Sequence, residues 1–147
     1  MEVEIKIEPE FTNPKIVIYT DEVTKEISDI VRMISSKDYS MIAGYKGDEI
    51  LLIKYEDIVR IYTHGQKVLA RLENETVQLK YRLYELENRF IGYSFARISN
   101  SEIVNFSKVK SLDLSITGTI TLKLKNGEKS FVSRRFVEKI KSFLELK

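Results

Sequence analysis

The sequence contains no cysteine, and His64 is its one histidine. Without cysteine there is no disulfide framework, no thiolate nucleophile and no cysteine-based zinc or iron–sulfur site. A single histidine also excludes a multi-histidine metal site, and it would have to carry any serine–histidine catalysis alone. We therefore expect no bound metal ion and no cofactor.

Long apolar runs are missing as well. No stretch of the sequence approaches the roughly 20 residues that a membrane-spanning helix needs. The first ten residues alternate acidic and apolar side chains, and they lack the basic region and apolar stretch of a signal peptide. These absences predict a cytoplasmic location, although a chain without cysteine is compatible with any compartment.

The chain is long enough for one folded domain with a short appendage. Its 147 residues are 43% hydrophobic and 31% charged, which excludes disorder along the whole chain. Residues 1–35 carry four basic and eight acidic side chains, whereas residues 104–147 carry ten basic and four acidic ones. This asymmetry indicates a basic C-terminal surface that suits a polyanion, although many solvated surfaces are mildly basic.

Residues 1–38 are predicted to form a leader of two strands and a helix, a ββα leader. Glu2–Ile7 alternate strictly, Lys15–Tyr19 indicate a second strand, and prolines lie between them. Thr20 or Asp21 is expected to cap a helix with apolar residues at helical spacing. Those residues are Val23, Ile27, Ile30, Val31 and Ile34. The polar run at 35–38 marks the predicted boundary with a second domain, residues 39–147.

Residues 39–147 predict a mostly antiparallel β-domain with two short helices, so the whole chain is expected to be a β-rich α+β protein. The expected strands are Met41–Tyr45, Glu49–Lys54, Ile58–Tyr62, Val68–Leu72, Thr76–Leu79, Phe95–Ile98, Glu102–Asn105, Val109–Leu114, Thr117–Lys125 and Ser130–Val132. The helices are indicated by Leu83, Leu86 and Phe90, and by Phe136, Ile140, Phe143 and Leu144 after a Ser133 cap. Asn126-Gly127 predicts a type I′ hairpin turn.

Signatures of catalysis are weak. Adjacent carboxylates occur at 48–49 and at 56–57, but both pairs are expected at turns, where solvated acids are common. No set of nucleophile, base and orienting group is visible, and there is no glycine-rich loop of the Walker or Rossmann type. The sequence therefore predicts a binding protein and not an enzyme, with no small-molecule substrate.

Three polar clusters have the side chains that nucleic-acid binding requires, namely cations for phosphates and hydrogen-bonding groups for base edges. They are residues 63–67 with His64, Gln66 and Lys67, residues 97–101 with Arg97, Ser99 and Asn100, and residues 129–135 with Arg134 and Arg135. The third cluster opens the last predicted helix, where free N–H groups suit phosphate. Each cluster also fits a solvated loop, and spacing does not show that the three converge.

The segment Phe95–Asn105 (FARISNSEIVN) resembles the most characteristic part of the LytTR family of bacterial DNA-binding domains. That family shows an arginine, a short polar pair, an apolar patch and then Val-Asn. Further segments resemble the family in the same order along about residues 40–147. They are Tyr55–Tyr62, Leu83–Glu87, Val109–Leu112 and Leu122–Lys129 with Val132–Val137.

The resemblance implies an elongated β-domain that inserts loops into successive grooves of double-stranded DNA at promoter repeats. By position it assigns DNA contacts to His64, Gln66 and Lys67, to Ser99 and Asn100, and to Arg135. We add Arg97 and Arg134 as expected partners of the DNA backbone. The resemblance does not decide which residue of the first group reaches a base. Ser99 stands where relatives often have a basic or histidine-like residue, whereas Asn105, Glu56 and Asp57 are expected to be structural turn residues.

The short leader resembles that of stand-alone LytTR regulators, which lack a receiver domain and are often encoded beside a small integral membrane protein. Its helix is expected either to cover a face of the β-domain or to form a homodimer contact. The leading hypothesis is a sequence-specific transcriptional regulator. The alternative is a protein-interaction module or anti-regulator that partners a small membrane protein and binds little DNA.

Overall fold

The computed structural model describes residues 1–34 and 41–146, and the predicted domain boundary at 35–38 lies outside these residues. Its helices are α1 (Lys25–Ile34), α2 (Leu83–Arg89) and α3 (Val137–Phe143). Its strands are β1 (Met41–Lys46), β2 (Glu49–Lys54), β3 (Arg60–His64), β4 (Lys67–Arg71), β5 (Thr76–Leu79), β6 (Phe95–Ser99), β7 (Glu102–Asn105), β8 (Val109–Asp113), β9 (Ile120–Leu124) and β10 (Lys129–Val132). The predicted β-rich fold with two short helices after the leader is confirmed.

The strands form two antiparallel sheets. The larger sheet has the order β2-β1-β5-β4-β3-β7-β6, and the smaller sheet has the order β10-β9-β8. Consecutive strands are mostly neighbours because short turns join them, as in hairpins and meanders. The sequence predicts most strand bounds to within two residues, but the strand expected at Thr117–Lys125 is shorter, at Ile120–Leu124.

Two apolar clusters stabilise the sheets. In the first, α2 covers the larger sheet, and the Phe90 ring stacks on Phe95 with 4.1 Å between ring centroids. In the second, α3 and the smaller sheet pack against β6 and β7, with Ile98 and Val104 fully buried between them. The strands β6 and β7 thus contribute to both clusters, which fixes the turn between them relative to both sheets.

The two strands predicted in the leader do not form. Residues 1–24 contain no helix or strand, and the alternating Val3, Ile5 and Ile7 are 83%, 85% and 91% exposed. Alternation makes a strand only when a neighbouring strand satisfies its backbone groups, and a lone two-stranded hairpin is marginal in water. Neither leader segment has such a partner among the described residues.

The predicted leader helix does form, but its cap differs from the expected one. Helix α1 begins at Lys25, and the Thr24 hydroxyl accepts a hydrogen bond from the Ile27 N–H at 3.3 Å. Thr20 instead donates to the Glu22 carbonyl at 2.8 Å. A threonine at the N-cap satisfies one of the free N–H groups of the first helical turn. Thr24 does so here, and α1 therefore begins directly after it.

Helix α1 lies against the connection between α2 and β6. Arg32 donates a hydrogen bond to the Gly92 carbonyl, and its guanidinium lies 5.9 Å from the Tyr93 ring centroid. A Cβ atom on Gly92 would stand 3.0 Å from the Ser28 carbonyl oxygen, so the close approach requires glycine. No residue of α1 is fully buried, and the apolar face is only partly covered.

The Asn126-Gly127 turn is a hairpin turn, but the type I′ prediction is wrong. Gly127 has φ 91°, whereas Asn126 is not among the residues of positive φ that type I′ needs at both positions. The Gly127 N–H donates to the Leu124 carbonyl at 3.0 Å, and the Leu124 N–H donates to Glu128 at 2.9 Å. This is the three-residue hairpin with a left-handed glycine.

Candidate nucleic-acid interface

The first polar cluster is a tight hairpin at the end of β3. His64 pairs with Lys67, so the loop between β3 and β4 has only the two residues Gly65 and Gln66. Gly65 has φ 62°, as the first central residue of a type II′ turn requires. Because paired residues share a face of an antiparallel sheet, the exposed His64 and Lys67 side chains lie on one side.

The second cluster is the turn between β6 and β7, and it lies beside the first. The Thr63 N–H donates to the Ser101 carbonyl at 3.0 Å, which holds the end of β3 against this turn. Ser99 pairs with Glu102, and the Ser99 hydroxyl accepts from the Ser101 N–H at 3.2 Å. Asn100 is exposed at the tip, so its amide can reach a ligand.

A β-bulge sets the direction of this second turn. Arg97 pairs with Ile103 and Ser99 with Glu102, which leaves Ile98 as one extra residue on β6. A bulge bends its strand and changes the direction of the side chains that follow it. Here it directs the turn at 99–101 while Ile98 itself stays fully buried.

Arg97 stabilises the turn at 99–101 through hydrogen bonds to its backbone. Its Nε donates to the Ser99 carbonyl at 3.0 Å, and its Nη2 donates to the Asn100 carbonyl at 2.6 Å. Nη1 lies 3.9 Å from Glu87 Oε2 on α2, and the side chain is only 20% exposed. The guanidinium therefore has a structural task in the turn, and its assignment to the DNA backbone stays a prediction.

The third cluster joins the other two through the backbone. After β10 the Ser133 N–H donates to the Ile98 carbonyl at 2.9 Å, which places the following 3₁₀ turn beside the bulge. Arg134 and Arg135 are exposed in that turn, Arg134–Phe136, and α3 begins only at Val137. The Ser133 hydroxyl makes no cap hydrogen bond, so the predicted serine cap is wrong.

A network of ion pairs connects the larger sheet with the β9–β10 hairpin. Glu128 accepts from Arg71 Nε at 2.9 Å and from Arg60 Nε at 3.3 Å. Glu102 Oε2 accepts from the Ser130 hydroxyl at 2.6 Å and from Arg60 Nη1 at 3.4 Å. Sequence reasoning missed these residues because their partners are distant along the chain and no local pattern marks them.

The charges of this network lower the pKa of Glu128. Partial burial by itself would raise that pKa, but the hydrogen bonds from Arg71 and then Arg60 outweigh it. The carboxylate is therefore kept ionised below the pH at which an ordinary glutamate takes up a proton.

Asn105 is a structural residue, as its position after two β-branched residues predicts. It is 1% exposed, and its Nδ2 donates to the Ile58 carbonyl at 2.9 Å. Its Oδ1 accepts from the Ser94 hydroxyl at 2.9 Å and from the Ser107 hydroxyl at 2.7 Å. Glu56 and Asp57 are exposed in the 3₁₀ turn Tyr55–Asp57, which agrees with their predicted place in a turn.

Other kinds of site have little support in the described part of the chain. Residues 1–34 and 41–146 contain no group of three histidine, cysteine, aspartate or glutamate residues that could hold a metal ion. No helix there is long and apolar enough to cross a membrane. A cleft of about 420 Å³ lies beside Tyr55 and Asn105, but the buried side-chain nitrogen and oxygen atoms of the described residues all have hydrogen-bond partners already.

Several known proteins are similar to this chain over most or all of its length. Two proteins called uncharacterized HTH-type transcriptional regulators, from Staphylococcus aureus strains MRSA252 and MSSA476, are 32% and 31% identical to this chain over 147 residues, covering 99% of each chain. A LytTr DNA-binding domain from Bacillus cereus has a TM-score of 0.68 and 25% identity, covering 71% of this chain and 96% of that domain. Residues 48–145 match the model of the LytTr DNA-binding domain. The chain therefore belongs to the LytTr family of DNA-binding domains.

Proposed function

We propose that this protein is a cytoplasmic transcriptional regulator that binds promoter repeats in double-stranded DNA and reads their sequence with loops. The observation that carries the proposal is the meeting of three polar clusters around the turn at 99–101, through the bonds of Thr63 to Ser101 and of Ser133 to Ile98. Exposed hydrogen-bonding and cationic side chains on one surface suit phosphates and base edges together.

Loops are the reading elements in this proposal. The S. aureus relatives carry the words HTH-type in their names. Within residues 1–34 and 41–146, however, strands separate each helix from the next, and no two helices are joined by a short turn. A recognition helix of the helix-turn-helix kind needs such a pair.

The side chains have different roles in the proposal. Asn100 reads a base edge, since an amide can pair in bidentate fashion with adenine, and Arg135 has the fork that fits guanine. Ser99 and Arg134 bind the DNA backbone. Arg97, which the sequence assigns to the DNA backbone, acts in this proposal by holding the turn through the Ser99 and Asn100 carbonyls. The hairpin adds one base contact from His64, Gln66 or Lys67, all of which are exposed.

Binding of the whole chain to the DNA upstream of its own gene tests the proposal. Fluorescence anisotropy compares that duplex with a scrambled duplex of equal length at several salt concentrations. We expect tight, selective and salt-sensitive binding, because phosphate contacts release counterions. Equal and weak binding to both duplexes would be explained by a basic surface alone, without sequence recognition, and would contradict the proposed function.

A second candidate function is supported by the leader, proposed as residues 1–38 before a DNA-binding domain at 39–147. Its Val3, Ile5 and Ile7 are exposed, and apolar side chains that a fold leaves exposed can serve as an interaction site. The leader then serves as a homodimer contact or docks a small membrane protein, and the chain acts as an anti-regulator with little DNA binding. A pull-down that retains a membrane protein but no DNA would favour this candidate.

A further inference from the structure

Glu102 is an acidic residue in the middle of the candidate DNA interface. It is the first residue of β7, directly after the turn at 99–101, and it pairs with Ser99. Its side chain is 16% exposed. A carboxylate at this place is unexpected from charge alone, because an unpaired negative charge repels the phosphates of DNA.

The contacts of this carboxylate explain its place. Oε2 accepts a hydrogen bond from the Ser130 hydroxyl at 2.6 Å, and Ser130 is 2% exposed. The same oxygen lies 3.4 Å from Arg60 Nη1, and Arg60 also contacts Glu128 at 3.3 Å. Arg60 and Arg71 thereby offset the charges of Glu102 and Glu128, so the network presents little net charge.

Each partner of Glu102 lies on an element that leads to another polar cluster. Ser130 is in β10, and the chain continues from β10 into the turn that carries Arg134 and Arg135. Arg60 is the first residue of β3, which ends at His64. Glu102 itself continues the turn that carries Asn100. One carboxylate is therefore bonded to the elements of all three clusters.

We propose that Glu102 is a positioning residue, which fixes the three DNA-contacting clusters relative to one another without touching DNA. The inference rests on the proposed function, since it assigns a role within that interface. Side chains that read adjacent grooves must keep their spacing, and hydrogen bonds between their supports maintain it. Loss of the carboxylate should then lower the affinity for the cognate duplex. If Glu102 acted only through its negative charge, its loss should instead raise that affinity.

The test uses the full chain and a duplex selected by the wild-type protein from a random-sequence library, with a scrambled version as the reference. Glu102→Gln and Glu138→Gln each remove one negative charge, but Glu138 is 89% exposed on α3, and its ion pair within the described part of the chain is a 3.9 Å contact with Lys141. We expect Glu102→Gln to lose about tenfold in affinity for the selected duplex, since a charge-assisted hydrogen bond becomes a neutral one. Its affinity for the scrambled duplex should stay constant or rise. Glu138→Gln should bind both duplexes equally well or slightly more tightly.

Ser130→Ala is the second variant, and it changes no charge. It removes the link to β10, so it should also lower affinity for the selected duplex and leave the scrambled duplex unaffected. Glu102→Gln could melt at a much lower temperature and lose affinity for both duplexes, and that result would reflect unfolding. In that case Ser130→Ala provides the test. Normal selective binding by a folded Ser130→Ala would then overturn the inference.

Other outcomes overturn the inference directly. Tighter binding of both duplexes by Glu102→Gln, to the degree seen for Glu138→Gln, would show that Glu102 acts only as a charge. Unchanged selectivity of Glu102→Gln would show that the carboxylate positions nothing. Failure of the wild-type protein to enrich any sequence from the library is a different result, because it overturns the proposed function and the inference with it.

Discussion

Asn100 and Asn105 are near neighbours in the sequence but have opposite environments. Asn100 is exposed at the tip of the β6–β7 turn, whereas Asn105 is 1% exposed and makes hydrogen bonds with Ile58, Ser94 and Ser107. A buried amide with all its partners is costly to replace, while an exposed amide is available to a ligand. The same residue type therefore has a structural role at one position and a proposed reading role at the other.

This contrast gives a paired prediction for substitution by alanine. Asn105→Ala should lower the free energy of unfolding by about 1–3 kcal/mol, because it leaves buried groups unpaired. Asn100→Ala should leave that free energy unchanged and cost about 1–3 kcal/mol of binding to the selected duplex. Urea unfolding and anisotropy measure the two quantities. A destabilised Asn100→Ala protein would contradict the assignment of Asn100 as a side chain with no structural role.

Arg97 allows a second prediction at this scale. A phosphate contact removed by Arg97→Gln should reduce the slope of log affinity against log salt by about 0.9. Because its guanidinium donates to the Ser99 and Asn100 carbonyls, we expect that slope to stay unchanged while selectivity falls. Arg97→Lys should show the same loss of selectivity, since lysine keeps the charge but not the fork. A reduced slope with full selectivity would restore Arg97 as a phosphate contact.

At the scale of elements, local patterns predict most of the strands and helices but not how they are joined. Short apolar runs between turn residues indicate β2, β5 and β7 at their observed bounds. The alternation at Glu2–Ile7 misleads, because a strand also needs a partner. The bulge at Ile98 and the bond from Ser133 to Ile98 have no local signal, because both depend on contacts that folding creates.

The β9–β10 hairpin is held to the larger sheet by Glu128, which leads to a prediction on pH. The pKa of Glu128 is lowered on folding, so its stabilisation is complete above its ordinary value of 4.5 and is lost as the pH falls through the lowered value. Glu128→Gln should reduce the free energy of unfolding at neutral pH by about 1 kcal/mol, since the site is partly exposed. As the pH falls below 4.5, the free energy of unfolding of Glu128→Gln should also fall less steeply than that of the wild-type protein.

The matched control is Glu138→Gln, because Glu138 is 89% exposed and its ion pair with Lys141 is long, at 3.9 Å. Chemical denaturation at several pH values measures both variants. An acid dependence of Glu128→Gln identical to that of the wild-type protein would contradict the assigned role of the carboxylate.

At the scale of the whole molecule, backbone hydrogen bonds from Thr63 to Ser101 and from Ser133 to Ile98 bring together three polar clusters that are far apart in the sequence. Polar composition indicates each cluster, and the resemblance of Phe95–Asn105 to the LytTR pattern indicates the function. The convergence could not be predicted, because the order β4-β3-β7-β6 brings the hairpin and the turn together only in the folded sheet. Long-range pairing of this kind leaves no periodic mark on the chain.

The same surface predicts the salt dependence of binding. An interface that neutralises about six to eight phosphates should lose about three to four decades of affinity between roughly 50 and 200 mM salt. Anisotropy titrations with the selected duplex at several salt concentrations measure this slope. A slope near zero would mean that the clusters do not face the DNA backbone.

The leader gives a last prediction at this scale. Serine at positions 3, 5 and 7 should change the free energy of unfolding by no more than about 0.5 kcal/mol, because the three side chains are 83–91% exposed. A change in self-association, measured by analytical ultracentrifugation, would assign these residues to a homodimer contact. A large loss of stability would show instead that residues 3–7 pack on the domain.

The hydrogen bonds from Arg97 to the turn at 99–101 affect how proteins of this family can diverge in evolution. Its guanidinium bonds to the carbonyl oxygens of residues 99 and 100, which are present whatever side chains those positions carry. The backbone of the turn therefore keeps its shape whatever side chain stands at position 100. Under the proposed function, a duplicated copy of the gene can exchange Asn100 for another side chain, and so acquire a new set of promoters, without having to evolve a new fold.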